Sequence, residues 1–478
     1  MKRPTTSLSR IALLALLTMT AACTTRPAPE PDREPAPMQA VTGRTTLRGA
    51  APVLGLKWDW ARVDRFTSYL RRLPAGATFY ELVWCDVEPR QGQRDWSRAD
   101  HVVRSARQLG YAVYLKLRVG SCWATGGQGG HRRGAKGKTA SAMPADLRVY
   151  QAWVQAAVRR YVPMGVDEYA IENEVNAESF WASGPADYER LAMLASATIR
   201  AADPHALVVD CGISSTAYGV AIADDLERRG RTAAAVAAYQ RYYQRRFERR
   251  RRDFPEVADA AGLQAALGGE QARRDLAFMA VANRLAQRKV VDVHQLHFYE
   301  SWDNLPALLA YLGGALPPTF PVQAWEVGMF WPGGSGVPAA RAAEVAKTVS
   351  LLLAGGVRPV IWLPLAFDPN GRHAGEPRYG LLDPGGGARP AGAVLLQLAT
   401  AAAGATSWQG VALGGVTGVA FRRGSSSSLV VWSDRGATLH LEQRQAGRAE
   451  QLGGGSVPWG TGGIAVGPAP LLVTTGGQ

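Results

Sequence analysis

The sequence predicts an α/β fold, a (β/α)8 TIM barrel followed by a small C-terminal antiparallel β domain. Eight short apolar runs alternate with segments of helical periodicity, as in a parallel sheet covered by helices. After residue 402 this alternation gives way to short strands and glycine turns. A doubly wound open sheet is the alternative, but no glycine-rich phosphate fingerprint follows the first apolar run.

The eight predicted strands are joined by segments long enough for crossover helices, which parallel neighbours require. The strands are predicted over 53–58, 78–85, 112–119, 168–173, 207–212, 291–297, 322–326 and 359–365. Amphipathic helices are predicted over 99–109, 145–162 and 185–202. Between the fifth and sixth strands the connection is too long for a simple crossover, which indicates a helical insertion at about 217–288.

Four regions follow from these patterns. We predict a signal peptide over 1–23, a disordered tether over 24–50, the barrel over 51–402 and the β domain over 403–478. Within the last region, strands are predicted over 416–422, 428–432, 438–443 and 470–474.

The N-terminus has the features of an export signal. Lys2 and Arg3 precede a short apolar run and then small residues that end at Cys23. The run is too short to span a bilayer, which takes about 20 apolar residues. The segment before Cys23 resembles a bacterial lipobox, although Thr20 stands where leucine is usual, and this implies a lipid anchor on Cys23. An ordinary signal peptide, which leaves a periplasmic or secreted protein, is the alternative.

Three cysteines remain after Cys23, so one disulfide at most can form within a mature chain. Cys85 and Cys122 follow adjacent predicted strands, and an exported protein meets oxidising conditions. We therefore predict that they pair, with two free thiols as the alternative. Cys211 lies in an apolar strand and is expected to pack as a small hydrophobic residue.

The formal net charge is +14, and residues 241–252 contain seven arginines. A solvated helix face explains this run, and contact with anionic lipid or acidic polysaccharide is the alternative. The chain lacks the H-E-x-x-H, Walker and G-x-S-x-G patterns. We expect no cofactor, no metal and no nucleic-acid partner, and the oligomeric state stays open.

Glutamates end two of the predicted strands. Barrel enzymes carry their chemistry at the carboxyl ends of the strands. Glu174 follows the fourth strand and Glu326 ends the seventh, so their side chains can face each other across a closed barrel. Cleavage of a glycosidic bond with retention needs two carboxyl groups about 5 to 5.5 Å apart. Glu172 is a rival to Glu174 because both residues have the same strand parity.

Three patterns at strand ends resemble clan A of the glycoside hydrolases: Asn173-Glu174, His297-x-Tyr299 and Glu326. Further similar stretches are W-C-D-V-E-P-R-Q-G-Q-R-D-W over 84–96, the Asp-Tyr pair at 187–188 and A-D-P-H-A-L-V-V over 202–209. Together they resemble families 39, 42 and 5, with family 39 the closest, over roughly 51–400.

The resemblance implies Glu174 as acid/base and Glu326 as nucleophile, and it favours Glu174 over its rival because an asparagine precedes it. Asn173 would hold the sugar 2-hydroxyl. His297 and Tyr299 would orient and hydrogen-bond the nucleophile.

Aromatic residues on the predicted active face are candidates for stacking on a sugar. Trp362 lies near the end of the eighth strand, where clan members commonly stack one, and Trp84 and Trp331 lie on other loops. Core packing is the alternative for each of these tryptophans.

The sequence thus predicts a retaining glycoside hydrolase that acts on β-linked bacterial or plant polysaccharide or oligosaccharide. One alternative is a non-catalytic carbohydrate-binding protein on a hydrolase scaffold. Another is a transglycosylase, which would use the same residues. For the C-terminal β domain, packing against the barrel is favoured over carbohydrate binding.

Overall fold

The computed structural model describes residues 53–127, 140–247, 254–329, 338–366, 380–441 and 447–476. The predicted signal peptide, Cys23 and the tether lie outside the described residues. Among the described residues, no helix has the length and apolar character needed to cross a membrane.

Eight parallel strands form the barrel, which confirms the predicted fold class. The strands are β1 Leu54–Leu56, β2 Ala77–Val83, β3 Ala112–Arg118, β4 Glu168–Ile171, β5 Leu207–Val209, β6 His294–Phe298, β7 Val322–Val327 and β8 Val360–Trp362. Around the sheet they run in the order β5-β4-β3-β2-β1-β8-β7-β6. The ring closes between β5 and β6 through two parallel bridges, Val209 with Val293 and Ile213 with Leu296.

Helices connect the strands and cover the outside of the barrel, because each parallel strand must be followed by a crossover. The helices are α1 Val63–Leu70, α2 Trp84–Val87, α3 Ser97–Gln108, α4 Leu147–Tyr161, α5 Pro185–Ala202, α6 Ser215–Arg228, α7 Thr232–Phe247, α8 Ala260–Leu267, α9 Glu270–Gln287, α10 Leu305–Ala315, α11 Pro338–Ala354 and α12 Pro390–Ala402.

Helices α6 to α9 occupy the region between β5 and β6 where an insertion was predicted. The interpretation of the arginine run as a solvated face is wrong for two of its members. Arg245 donates two hydrogen bonds of 2.9 Å to the buried Glu344, and Arg246 pairs with the buried Glu300. Because both carboxylates are buried, these arginines neutralise charges that would otherwise be costly.

Aromatic side chains fill the interior of the barrel. The ring of Trp325 stacks on Tyr114 at 5.0 Å between centroids and on Phe79 at 6.2 Å. All three side chains are buried and come from strands that alternate inward and outward residues. This packed layer leaves the polar inward residues of the same strands at the carboxyl end of the barrel.

The C-terminal domain has one six-stranded and one two-stranded antiparallel sheet. Four of its strands were predicted, and the other four were not. It packs on the barrel, where Lys347 of α11 donates a 2.8 Å hydrogen bond to Asp434 and Trp302 contacts Trp432. The strands are β9 Ser407–Leu413, β10 Val416–Arg423, β11 Ser426–Trp432, β12 Ala437–Leu439, β13 Gly447–Gln451, β14 Ser456–Val457, β15 Ile464–Val466 and β16 Leu471–Thr475.

Two cysteines form the predicted disulfide, and a third is buried as predicted. Cys85 and Cys122 form a disulfide, with their Cα atoms 5.7 Å apart. The bond ties helix α2, which follows β2, to the loop after β3. Cys211 is fully buried, and its burial raises the pKa of its thiol well above the usual range, which is the behaviour of a packing residue.

Candidate active site

Glu174 and Glu326 face each other at the carboxyl end of the barrel. Glu174 follows β4 and Glu326 lies near the end of β7. One carboxylate oxygen of each lies within 4.8 Å of the other. Their side chains are 13% and 11% exposed, so both remain within reach of solvent and of a bound molecule.

Glu326 accepts hydrogen bonds from the end of the neighbouring strand β6 and from β3 across the barrel. The hydroxyl of Tyr299, after β6, donates to Oε2 at 2.7 Å. The ammonium of Lys116, on β3, donates to Oε1 at 2.7 Å. Bonds that involve ionised groups are the stronger ones, so this arrangement fixes the carboxylate in its charged form and in one orientation.

Lys116 was not predicted from the sequence. It is fully buried, on the inward side of β3, two residues after Tyr114 of the aromatic layer. The sequence did contain an indication of its role, because a lysine in the middle of an apolar strand is stable there only if other polar groups pair with its charge. What the sequence did not reveal is which partners it finds.

The same ammonium fixes Asn173. Lys116 donates to the Oδ1 atom of Asn173 at 2.6 Å, which determines which end of the amide is oxygen. The Nδ2 atom of Asn173 is buried and has no hydrogen-bond partner among the described residues. A buried donor without a partner usually signals a site for an acceptor, here beside the lysine that also bonds to Glu326.

The predicted role of His297 toward Glu326 is corrected by the structure. Its Nδ1 atom is 3.0 Å from Oε1 of Glu174 but 3.7 Å from Oε2 of Glu326. Tyr299 contacts Glu326, as predicted. The His-x-Tyr pattern therefore divides between the two carboxylates.

Glu172 lies apart from the pair. It is fully buried, and its Oε1 accepts a 2.6 Å hydrogen bond from the backbone N–H of Val119. Its Oε2 is 3.6 Å from Nε of Arg118, which also pairs with Glu81. Burial raises the pKa of Glu172. These contacts make Glu172 part of an internal ion-pair group and leave Glu174 as the residue that faces Glu326.

Two of the three predicted tryptophans lie in the described part of the chain, and both are buried. Trp84 is a core residue, so its prediction as a sugar contact was wrong: its indole donates to Glu88 and stacks on Trp153 at 5.6 Å. Trp362 is fully buried, so no face of its ring is open to a sugar in this structure. Trp331 lies outside the described residues.

One group of side chains has the spacing of a metal site. Donor atoms of Glu174, His297 and Glu326 all lie within 4.8 Å of one another. However, the ammonium of Lys116 is 2.7 Å from Glu326 and 3.3 Å from Nε2 of His297. It already supplies a positive charge there and would repel a divalent cation. The arrangement therefore fits acid–base and nucleophilic chemistry better than metal binding.

Solved structures of similar fold are glycoside hydrolases. A family 39 enzyme from Bacteroides cellulosilyticus WH2 has a TM-score of 0.62 at 14% identity, over 89% of this chain and 81% of that one. A family 39 β-xylosidase from Caulobacter crescentus has a TM-score of 0.54 at 12% identity, over 92% and 98%. A family 30 subfamily 8 xylanase from Clostridium acetobutylicum has 0.51 at 9%, over 89% and 96%.

Neither a protein-family model nor a curated protein sequence matches this chain. At these low identities the structural likeness shows the fold. The chain thus has the barrel and β-domain fold found in family 39 and in other glycoside hydrolases of clan A.

Proposed function

We propose that the protein is a retaining glycoside hydrolase in which Glu326 is the nucleophile and Glu174 the acid/base. The short separation of the two carboxylates, with one oxygen of each within 4.8 Å of the other, is the observation that carries this proposal. Retaining enzymes hold the pair about 5 to 5.5 Å apart, whereas inverting enzymes need about 6.5 to 9.5 Å to admit a water molecule. The fold shared with solved glycoside hydrolases supports the same conclusion.

The first step transfers the sugar to Glu326. An oxygen of Glu326 attacks the anomeric carbon while the bond to the leaving oxygen breaks, and that oxygen takes the proton of Glu174. The bonds from Tyr299 and Lys116 keep the attacking carboxylate ionised and aligned. In the second step Glu174 takes a proton from water, which attacks the same carbon and releases Glu326.

Asn173 contributes a hydrogen-bond donor to this reaction. Its oxygen is occupied by Lys116, which leaves the amide nitrogen for an acceptor on the substrate. The sugar 2-hydroxyl lies beside the anomeric carbon, and a hydrogen bond to it strengthens in the transition state. This would satisfy the amide nitrogen of Asn173, a buried donor without a partner among the described residues.

For the substrate we propose a β-linked polysaccharide or oligosaccharide, with β-xylosides first in order of testing. Two of the similar structures are a β-xylosidase and a xylanase. β-Glucosides, β-galactosides and acidic exopolysaccharides belong in the same panel, because the basic charge of the chain also favours acidic glycans. Binding of these glycans no tighter than that of starch would refute the substrate class.

The test of the proposed function is the stereochemistry of the first product. Wild-type protein is mixed with 4-nitrophenyl β-D-xyloside, β-D-glucoside and β-D-galactoside, and the anomeric protons are followed by NMR. We expect the β-anomer to appear first and to mutarotate later, because two displacements restore the configuration. Initial release of the α-anomer would show inversion, and inactivity on all aryl glycosides and on β-glycans would reject hydrolysis.

Replacement of Lys116 by methionine should weaken catalysis strongly. We expect Lys116→Met to lower kcat/KM by about 10²- to 10³-fold, the usual effect of removing one preorganised donor from a reacting group. The variant keeps the length and apolar stem of the side chain but leaves Glu326 without its charged partner. The rate is measured on the best aryl β-glycoside of the panel.

The matched control is Lys347→Met. Lys347 is also buried and ion-paired, but its partner is Asp434 of the β domain. The Lys347→Met variant should be less stable than wild type, but its folded fraction should not show a comparable loss of kcat/KM. Denaturant unfolding of both variants separates the loss of stability from the loss of catalysis. A Lys116→Met enzyme within threefold of wild type would refute the role of this lysine.

A further inference from the structure

The hydrogen bonds of Gln295 fix the orientation of its amide group. Gln295 is fully buried on β6, two residues before His297. Its Nε2 atom donates to the backbone carbonyl of Asp210 at 2.8 Å. A carbonyl oxygen only accepts, so the amide nitrogen must point to Asp210. The amide oxygen therefore points to Nε2 of His297, which lies 2.9 Å away.

This orientation determines where His297 carries its proton. An amide oxygen also only accepts, so the Nε2 atom of His297 must be the donor in this contact. In a neutral imidazole the other nitrogen, Nδ1, is then an acceptor. Nδ1 lies 3.0 Å from Oε1 of Glu174, and that contact needs one proton, which must come from the carboxyl group.

Lys116 opposes the alternative in which His297 holds two protons. Its ammonium lies 3.3 Å from Nε2 of His297, and a second positive charge at that distance in a buried site is unfavourable. An ammonium only donates, so a hydrogen bond from Lys116 to Nε2 would need that nitrogen without its proton. The ammonium already donates at 2.7 Å to Glu326 and at 2.6 Å to Asn173, and the oxygen of Gln295 lies closer to Nε2, at 2.9 Å, which favours the Nε2–H tautomer. The Nδ1 lone pair is thus directed at Glu174.

The backbone of Gly212 and the side chain of Asp210 pack closely around the histidine and the glutamine. A side chain on Gly212 would place its Cβ atom 2.3 Å from Nε2 of His297, and the residue has a φ of +61°. The carboxylate of Asp210 accepts from the backbone N–H groups of Gly212 and Gln295 and contacts His294 at 2.6 Å. The carbonyl that anchors Gln295 therefore belongs to a rigid segment.

We propose that Gln295 is a positioning residue that sets the tautomer of His297 and so keeps on Glu174 the proton that the leaving group takes. The inference rests on the proposed function, in which Glu174 is the acid. In the first step this proton passes to the leaving oxygen as its bond to the sugar breaks. In the second step Glu174 recovers a proton from water, and Nδ1 again accepts it as a hydrogen bond.

The test compares leaving groups. The dinitrophenolate of a 2,4-dinitrophenyl glycoside leaves without protonation, whereas the phenolate of a phenyl glycoside of the same sugar must be protonated by the general acid as it leaves. For Gln295→Met, we expect kcat/KM to fall about 10- to 100-fold on the phenyl glycoside and less than about threefold on the dinitrophenyl glycoside. The loss on the phenyl glycoside is smaller than the full rate enhancement by a general acid, usually about 10²- to 10⁴-fold, because Glu174 itself is still present.

Gln323→Met is the matched control. Gln323 pairs in register with Gln295 on the adjacent strand and is equally buried, but its oxygen accepts from Trp325. It should stay within threefold of wild type on both substrates. Equal losses of kcat/KM on both substrates for Gln295→Met, or no loss on either, would refute the role of Gln295 in setting the tautomer. Hydrolysis by the wild-type protein would still support the proposed function in that case. No hydrolysis by wild type would reject the function itself.

The tautomer of His297 can also be measured directly in the wild-type protein, which avoids any effect of a substitution on folding. Two-bond ¹H–¹⁵N spectra of wild-type protein labelled at its seven histidines distinguish a protonated from an unprotonated ring nitrogen. We expect His297 to show protonated Nε2 and unprotonated Nδ1 near neutral pH. The opposite pattern, or protonation of both nitrogens, would overturn the inference.

Discussion

Glu326→Ala is expected to abolish hydrolysis of aryl β-glycosides, with a fall in kcat of roughly 10⁵- to 10⁶-fold. The variant removes the atom that would form the covalent bond to the sugar, and the two donors that hold it, Tyr299 and Lys116, lose their acceptor. Azide should restore part of the rate, because a small anion fits the space of the lost carboxylate beside the ammonium. The product should be the α-glycosyl azide, since azide attacks from the face that Glu326 occupied.

The measurement is the rate of phenol release with and without azide, with the azide product identified by NMR. Residual activity above about 1% of wild type, after exclusion of contaminating enzyme, would contradict a nucleophilic role for Glu326. A β-glycosyl azide from this variant would instead assign the attacking face to another residue.

Glu174→Ala should give a loss that depends on the leaving group. On phenyl glycosides we expect kcat/KM to fall by about 10²- to 10⁴-fold, the usual contribution of a general acid. On dinitrophenyl glycosides the first step should be nearly unchanged, and the glycosyl-enzyme should accumulate because no base activates water. Azide needs no base, so it should speed turnover and give the β-glycosyl azide.

Glu172→Gln is the matched control, because Glu172 is the other glutamate at the end of β4. It pairs with Arg118 and the N–H of Val119, so its loss should lower stability. In the folded fraction it should retain most activity and show no azide effect. A leaving-group dependence in Glu172→Gln, with none in Glu174→Ala, would reverse the assignment of the acid/base.

The sequence by itself was enough to predict the fold class and the two facing carboxylates. The strand pattern is local, because alternation along a strand and helical periodicity depend on neighbouring residues alone. Once eight parallel strands close into a barrel, their carboxyl ends must meet on one face. Glu174 and Glu326 could therefore be placed opposite each other from their positions along the strands, although they lie 152 positions apart in the sequence.

Only the tertiary structure decided which side chains support that pair. Lys116 contacts partners 57, 181 and 210 residues away, and Gln295 reaches the carbonyl of Asp210, 85 residues before it. Likewise, Trp84 follows a strand that leads to the active face, yet its ring turns into the core against Trp153. Strand position fixes where a backbone ends, but the direction and hydrogen bonds of a side chain depend on packing between distant segments, which no local pattern encodes.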